Sequence, residues 1–218
     1  MSQAFKIAVL VSGNGSNLQI LIDKMQSGDL PVQIVGVISN KADAYALKRA
    51  NNANIITAII DKDEQGKRYT RQGFEQKALD QLQDWQPDLI VLAGFMRILT
   101  PDFIHGVPCP MINLHPSLLP HYKGLDTHQR VLQAGETLHG CSVHWVTPEL
   151  DAGEVIAQAV TPILQSDTLD SLQSRVHGLE HQLLAFVVGL FAKKLLASER
   201  GTLQNHLVIK LPLRLLLD

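Results

Sequence analysis

The feature that most constrains this chain is a repeated switch between two hydrophobic periods in its first half. Short apolar runs at residues 7–11, 32–38, 55–60, 89–93 and 111–114 are nearly continuous and rich in Val, Ile and Leu. Such runs suit strands covered on both faces, because a strand with one wet face alternates apolar and polar residues. Between them, residues 16–25, 44–51 and 71–85 carry helical spacing. In the last of these, Phe74, Ala78, Leu82 and Trp85 fall on one stripe. Strand–helix–strand repetition with short connections implies an α/β fold, a doubly wound and mostly parallel sheet.

The second half changes character. Residues 140–146 and 155–161 read as strands joined by a Pro-Glu-Leu-Asp-Ala-Gly loop, and a long helix follows over 169–196. Residues 207–217 alternate apolar and mixed side chains around Pro212, which suits an edge strand. At 218 residues, the expectation is one domain over 1–218, with a nucleotide-binding-like half at 6–115 and a carboxyl-terminal β extension with its long helix at 116–218.

Composition excludes several classes. Hydrophobic residues make up 45% and charged residues 18%, enough to bury a core without disulfides or metal staples. Cys109 and Cys141 form no CxxC pair and suit a reducing compartment. Nineteen Lys and Arg stand against 21 Asp and Glu, a net charge of -2, so no nucleic acid or anionic membrane is expected as partner. The longest apolar stretch, 183–192, stops at Lys193-Lys194, well short of the about 20 residues of a bilayer span. The run at 7–11 is too short for a secretory signal. The expected location is the cytoplasm.

In an open α/β sheet, ligands bind in the crevice beyond the carboxyl ends of the strands. After the first strand stands Ser12-Gly13-Asn14-Gly15-Ser16-Asn17-Leu18, entering a helix. Leu18 occupies the place of the third glycine of a dinucleotide fingerprint, and Ser39-Asn40-Lys41 follows the second strand where that fingerprint wants an acid. A NAD site is thereby disfavoured. Two readings of the turn stay open: a seat for a single phosphate, or an ordinary strand–helix turn capped by Ser16 or Asn17.

After the fourth run comes Gly94-Phe95-Met96-Arg97-Ile98-Leu99. It is either a loop clasping something flat and apolar or one burying its own side chains. After the fifth run, Asn113 and His115 lie two apart and so share a face, and Pro116 ends the strand at that point. An amide beside an imidazole can stabilise an oxyanion and move a proton. Asp151, in the later turn, matters to them only if the fold brings it to His115. A rival pattern is His177-Gly178-Leu179-Glu180-His181, which fits the His-x-x-Glu-His of inverted zinc peptidases. Those enzymes need a third ligand downstream, and only Glu199 and Asp218 follow as acids, so a metal is not expected.

The segments 12–18, 39–44, 92–99, 113–120, 124–128 and 150–153, taken together and in order, closely resemble the phosphoribosylglycinamide formyltransferases. The resemblance runs from about residue 6 to the neighbourhood of Glu180. It implies a formyltransferase-type Rossmann-like fold, 10-formyltetrahydrofolate as co-substrate, phosphoribosylglycinamide as acceptor, and no metal. It implies catalytic roles for Asn113, His115 and Asp151. Gly15, Ser16, Asn17, Leu18 and Gln19 match the stretch that holds the acceptor's phosphate, and Glu180 an acid on its ribose. Arg71, Met96, Arg97, Ile98, Leu99 and Asn113, with the loop leading to Asp151, match folate-binding positions, and the half from 116 onward carries the folate loop. Methionyl-tRNA formyltransferases carry a further carboxyl-terminal domain, and formyltetrahydrofolate hydrolases an amino-terminal one, which a chain of this length does not accommodate. The apolar tail after Gly201 matches no functional element; it packs on its own domain or, in a homodimer, on a second subunit.

Overall fold

The computed structural model describes residues 4–196 and 209–211. Strand β1 (Phe5–Val11) leads into α1 (Ser16–Ser27), then β2 (Val32–Ser39), α2 (Tyr45–Asn52) and β3 (Thr57–Ile59). Helix α3 (Arg71–Trp85), β4 (Leu89–Leu92), α4 (Pro101–Gly106) and β5 (Met111–His115) complete the first half. The second half contains α5 (Thr127–Gln133), β6 (Leu138–Trp145), β7 (Val155–Pro162), α6 (Leu169–Ala192) and β8 (Ile209–Leu211).

Among the described residues, eight strands form one sheet in the order β3-β2-β1-β4-β5-β6-β7-β8. Strands β1 to β5 pair in parallel, β6 runs antiparallel to both β5 and β7, and β8 joins β7 in parallel. The continuous apolar runs have a direct explanation in the two layers of helix. Along β1, Ile7, Val9 and Val11 pack with Leu18, Leu21, Val176 and Leu183 of α1 and α6. Ala8 and Leu10 pack on the other face with Phe74, Leu82 and Phe103 of α3 and α4. Alternate side chains of one strand thus enter two separate cores, and neither face is left polar.

Several boundaries depart from the sequence expectation. The long helix ends at Ala192 rather than at 196, because Lys194 adopts φ 56° and its amide closes back on the Phe191 carbonyl at 2.9 Å. Helices α4 and α5 were not expected. The first carries a legible start signal, Thr100 accepting from the Phe103 amide with Pro101 and Asp102 behind it. The second is only seven residues long, too short to show a period. The expected strand at 55–60 shortens to β3, with Ile55 and Ile60 buried beyond its ends. Of the expected edge strand at 207–217, residues 209–211 take that place as β8; the rest of the stretch lies outside the described residues.

Candidate active site

Strand β1 lies between β2 and β4, so the chain winds outward in opposite directions from this point and leaves a crevice at the strand ends. A cavity of about 750 Å³ opens there. Its walls are the loop after β4, the end of β5, the start of α5 and the turn between β6 and β7.

Asn113 and His115 stand at its base, on the same face of β5. The antiparallel pairing of β6 sets Asn113 opposite His144 and His115 opposite Ser142. The β6–β7 turn then folds back over the strand end and delivers Asp151. That turn depends on Gly153, where an added Cβ would fall 1.8 Å from the Trp145 carbonyl oxygen. Asp151 itself sits at φ 48°, a left-handed conformation that aspartate tolerates better than most residues.

The three side chains meet. Asp151 Oδ2 lies 3.4 Å from His115 Nδ1 and accepts the Gly124 amide at 2.9 Å. His115 Nε2 faces the Tyr122 carbonyl at 3.0 Å. Both imidazole nitrogens therefore face acceptor oxygens. His115 and Asp151 are both buried, at 5% and 9% exposure, which strengthens the attraction between opposite charges.

Asn113 is oriented by a residue not singled out from sequence. Burial pushes the His144 imidazole down and keeps it neutral, the more weakly opposing influences being the Trp145 carbonyl and Asp151. Its Nδ1 donates to the Trp145 carbonyl at 2.8 Å, so Nε2 is left to accept from Asn113 Nδ2 at 3.1 Å. The second Nδ2 proton has only a 3.5 Å contact with Asp151 Oδ1 and remains available to a ligand.

The loop after β4 buries part of its own apolar side chains and turns the rest to the cavity. Phe95 and Leu99 are buried among α3 and α4, while Met96 and Ile98 stand exposed at the cavity. With Leu125 and Leu150 opposite, the rim presents four exposed apolar side chains, the signature of a ligand surface rather than of a solvated loop. Arg97 lines the cavity with its guanidinium 4.7 Å over the Phe74 ring. The loop's far end is tied down by buried Glu75, which accepts the Thr100 amide at 2.7 Å and the Thr100 hydroxyl at 2.6 Å. Arg71 is not part of the cavity wall; it is exposed at the first position of α3.

At the end of β1, neither Ser16 nor Asn17 caps α1. Gly15, at φ 75°, precedes the first turn with no side-chain cap. The first intrahelical bond runs from the Gln19 amide to the Gly15 carbonyl at 2.9 Å, which leaves the amides of Ser16, Asn17 and Leu18 outside the helical ladder. Asn17 Nδ2 instead donates to Glu180 Oε2 of α6 at 3.0 Å. Burial raises the Glu180 carboxyl above its ordinary range, opposed by that bond and by His177. Glu180 therefore belongs with the β1 turn. Among the described residues, no group of three or more His, Cys, Asp and Glu is arranged to hold a metal ion. Ser12 joins the two halves of the crevice: its hydroxyl accepts the Met96 amide at 2.8 Å and donates to Asn40 Oδ1 at 2.6 Å.

The formyl transferase family model matches residues 5–188, which spans both the β1 turn and the β5 centre. The chain belongs to the formyl transferase family. A Haemophilus influenzae relative, phosphoribosylglycinamide formyltransferase, is 44% identical over 86% of this chain and 87% of its own. A trifunctional purine biosynthetic protein of Bos taurus is 42% identical over 86% of this chain, the match taking up 18% of that much longer protein. The solved phosphoribosylglycinamide formyltransferase of Coxiella burnetii superposes with a TM-score of 0.85 at 48% identity, covering 92% of this chain and 93% of its own. In this member of the family, His144 and Glu75 are among the side chains that sequence alone did not single out. Each acquires its place from strand pairing or helix packing, which no local pattern encodes.

Proposed function

We propose that this chain transfers the formyl group of 10-formyltetrahydrofolate to the amine of 5-phosphoribosylglycinamide, in de novo purine synthesis, as a cytoplasmic enzyme. The products are formylglycinamide ribonucleotide and tetrahydrofolate. The observation that carries this reading is the meeting of Asn113, His115 and Asp151 at the base of an apolar-rimmed cavity in a formyl transferase chain.

The formyl donor supplies an activated one-carbon unit, and the cavity fits its flat, largely apolar body. Met96, Ile98 and Leu99 furnish apolar contact, and Arg97 a charge beside them. Arg71, exposed beyond the rim, acts on a part of the donor that extends past the cavity, such as its carboxylate tail. At the acceptor end, the unladdered amides at Ser16, Asn17 and Leu18, with Gly15 and Gln19 flanking them, hold the phosphate. Buried Glu180 accepts from the ribose hydroxyls. Anchoring the acceptor at its phosphate brings its amine to the formyl carbon.

Attack by the amine places negative charge on the formyl oxygen. The free Nδ2 proton of Asn113 and a proton of His115 stabilise that charge, and Asp151, facing Nδ1 at 3.4 Å, orients the ring. The Tyr122 carbonyl holds the Nε2 proton of His115 until substrate replaces it. His115 also stands where a proton can pass from the attacking nitrogen to the departing one.

An assay with formyl donor and either phosphoribosylglycinamide or initiator tRNA tests the reading. Turnover is expected with the small acceptor alone and is expected to survive EDTA. Binding of either small molecule without turnover would make the chain a non-catalytic binder and contradict the proposal.

A further inference from the structure

The β1 turn is held from outside by α2, on which the reading above places no role. The Ala46 amide donates to the Gly13 carbonyl at 3.1 Å. One turn later, Arg49 Nε donates to the Asn14 carbonyl at 2.9 Å, Nη2 to Asn14 Oδ1 at 3.0 Å and Nη1 to Gln19 Oε1 at 3.1 Å. The guanidinium is braced by the Tyr45 ring, 4.8 Å away. Contact is close enough that a Cβ on Gly15 would fall 2.5 Å from Ala46 Cβ.

In a trans peptide the carbonyl of one residue and the amide of the next point in opposite directions. Pinning the Gly13 and Asn14 carbonyls toward α2 therefore turns the Asn14 and Gly15 amides away from it. Neither amide donates a hydrogen bond within the described residues. Arg49 spends its planar fork on three oxygens of one turn and brings a positive charge beside it. We propose that Arg49 is the positioning residue of the phosphate turn, aiming the Asn14 and Gly15 amides at the phosphate of the acceptor by holding Asn14 and Gln19. This inference rests on the reading of the turn as the acceptor's phosphate seat.

The test compares phosphoribosylglycinamide with its dephosphorylated riboside as acceptors, in wild type, Arg49→Met and Arg49→Lys. Loss of a charged, multidentate hydrogen-bond donor is expected to lower the phosphorylated-to-dephosphorylated ratio of kcat/KM by about tenfold or more in Arg49→Met. The change is expected in KM for the phosphorylated acceptor rather than in KM for the formyl donor. Arg49→Lys keeps the charge but not the fork, and is expected to stay within about threefold of the Met variant. If Arg49→Met does not fold, the Lys variant carries the same comparison against wild type. An unchanged ratio, an equal fall with both acceptors, or full recovery in Arg49→Lys would each overturn the proposal. Wild type failing to formylate phosphoribosylglycinamide would instead sink the functional reading on which it rests.

Discussion

His115 lies between two acceptors, a carboxylate at one nitrogen and a loop carbonyl at the other. Asp151→Asn alters only one of these: an amide oxygen in the Oδ2 place still accepts from Gly124 and still faces Nδ1, but it is neutral, and the new NH2 takes the Oδ1 place beside Asn113 and His144. The imidazole then loses the carboxylate charge that faces its Nδ1. The expected result is a kcat lower by about 10²–10⁴-fold, the range of a lost acid–base function, with the thermal midpoint little changed. Steady-state rates and a melting curve on the same preparation check this, and a near wild-type rate would contradict it. Asn113 and His115 were legible in sequence because period-two spacing and Pro116 fix their face and their place at the strand end. Asp151 was legible in sequence only as a conditional candidate, its place beside His115 coming from family resemblance, and His144 not at all. Both reach the site through the antiparallel pairing of β6, which brings residues 31 and 38 positions away onto Asn113.

At the scale of elements, α5 and β6 are joined by His128 Nδ1 and His139 Nε2 at 2.9 Å. Burial first, and neighbouring histidines second, push both imidazoles down to about 4, so the folded protein holds them neutral. A histidine with a depressed folded pKa contributes stability that is present above its unfolded value and lost as pH falls toward the folded one. The thermal midpoint should therefore drop as pH falls from about 6.5 to about 4, and His128→Gln should flatten that dependence. A pH-independent midpoint over this window would show the pair to be energetically idle. The β1 turn offers a second check. Gly15→Ala combines φ 75° with a 2.5 Å approach to Ala46 and should destabilise by about 2 kcal/mol or more, measurable by denaturant unfolding. Helix α4 was within reach of sequence through Thr100-Pro101-Asp102; α5 was not, since seven residues give a hydrophobic pattern no period.

For the whole molecule, the near-neutral charge of -2 supplies no broad electrostatic field, so the proposed substrate contacts fall on local devices, the uncapped α1 amides and the apolar rim. The doubly wound sheet was readable because continuous apolar strands have only one stable setting, between two helical layers. The reversal of β6, by contrast, is a matter of pairing, and the site depends on it. Catalysis is accordingly a property of the assembled crevice rather than of any one segment. The most direct test is the initial rate of formyl transfer from 10-formyltetrahydrofolate to phosphoribosylglycinamide, measured for wild type and for His115→Ala at saturating substrates. Wild type should turn over, and the variant should be slower by about 10²-fold or more. Absence of transfer by wild type, or an undiminished rate in His115→Ala, would contradict the account.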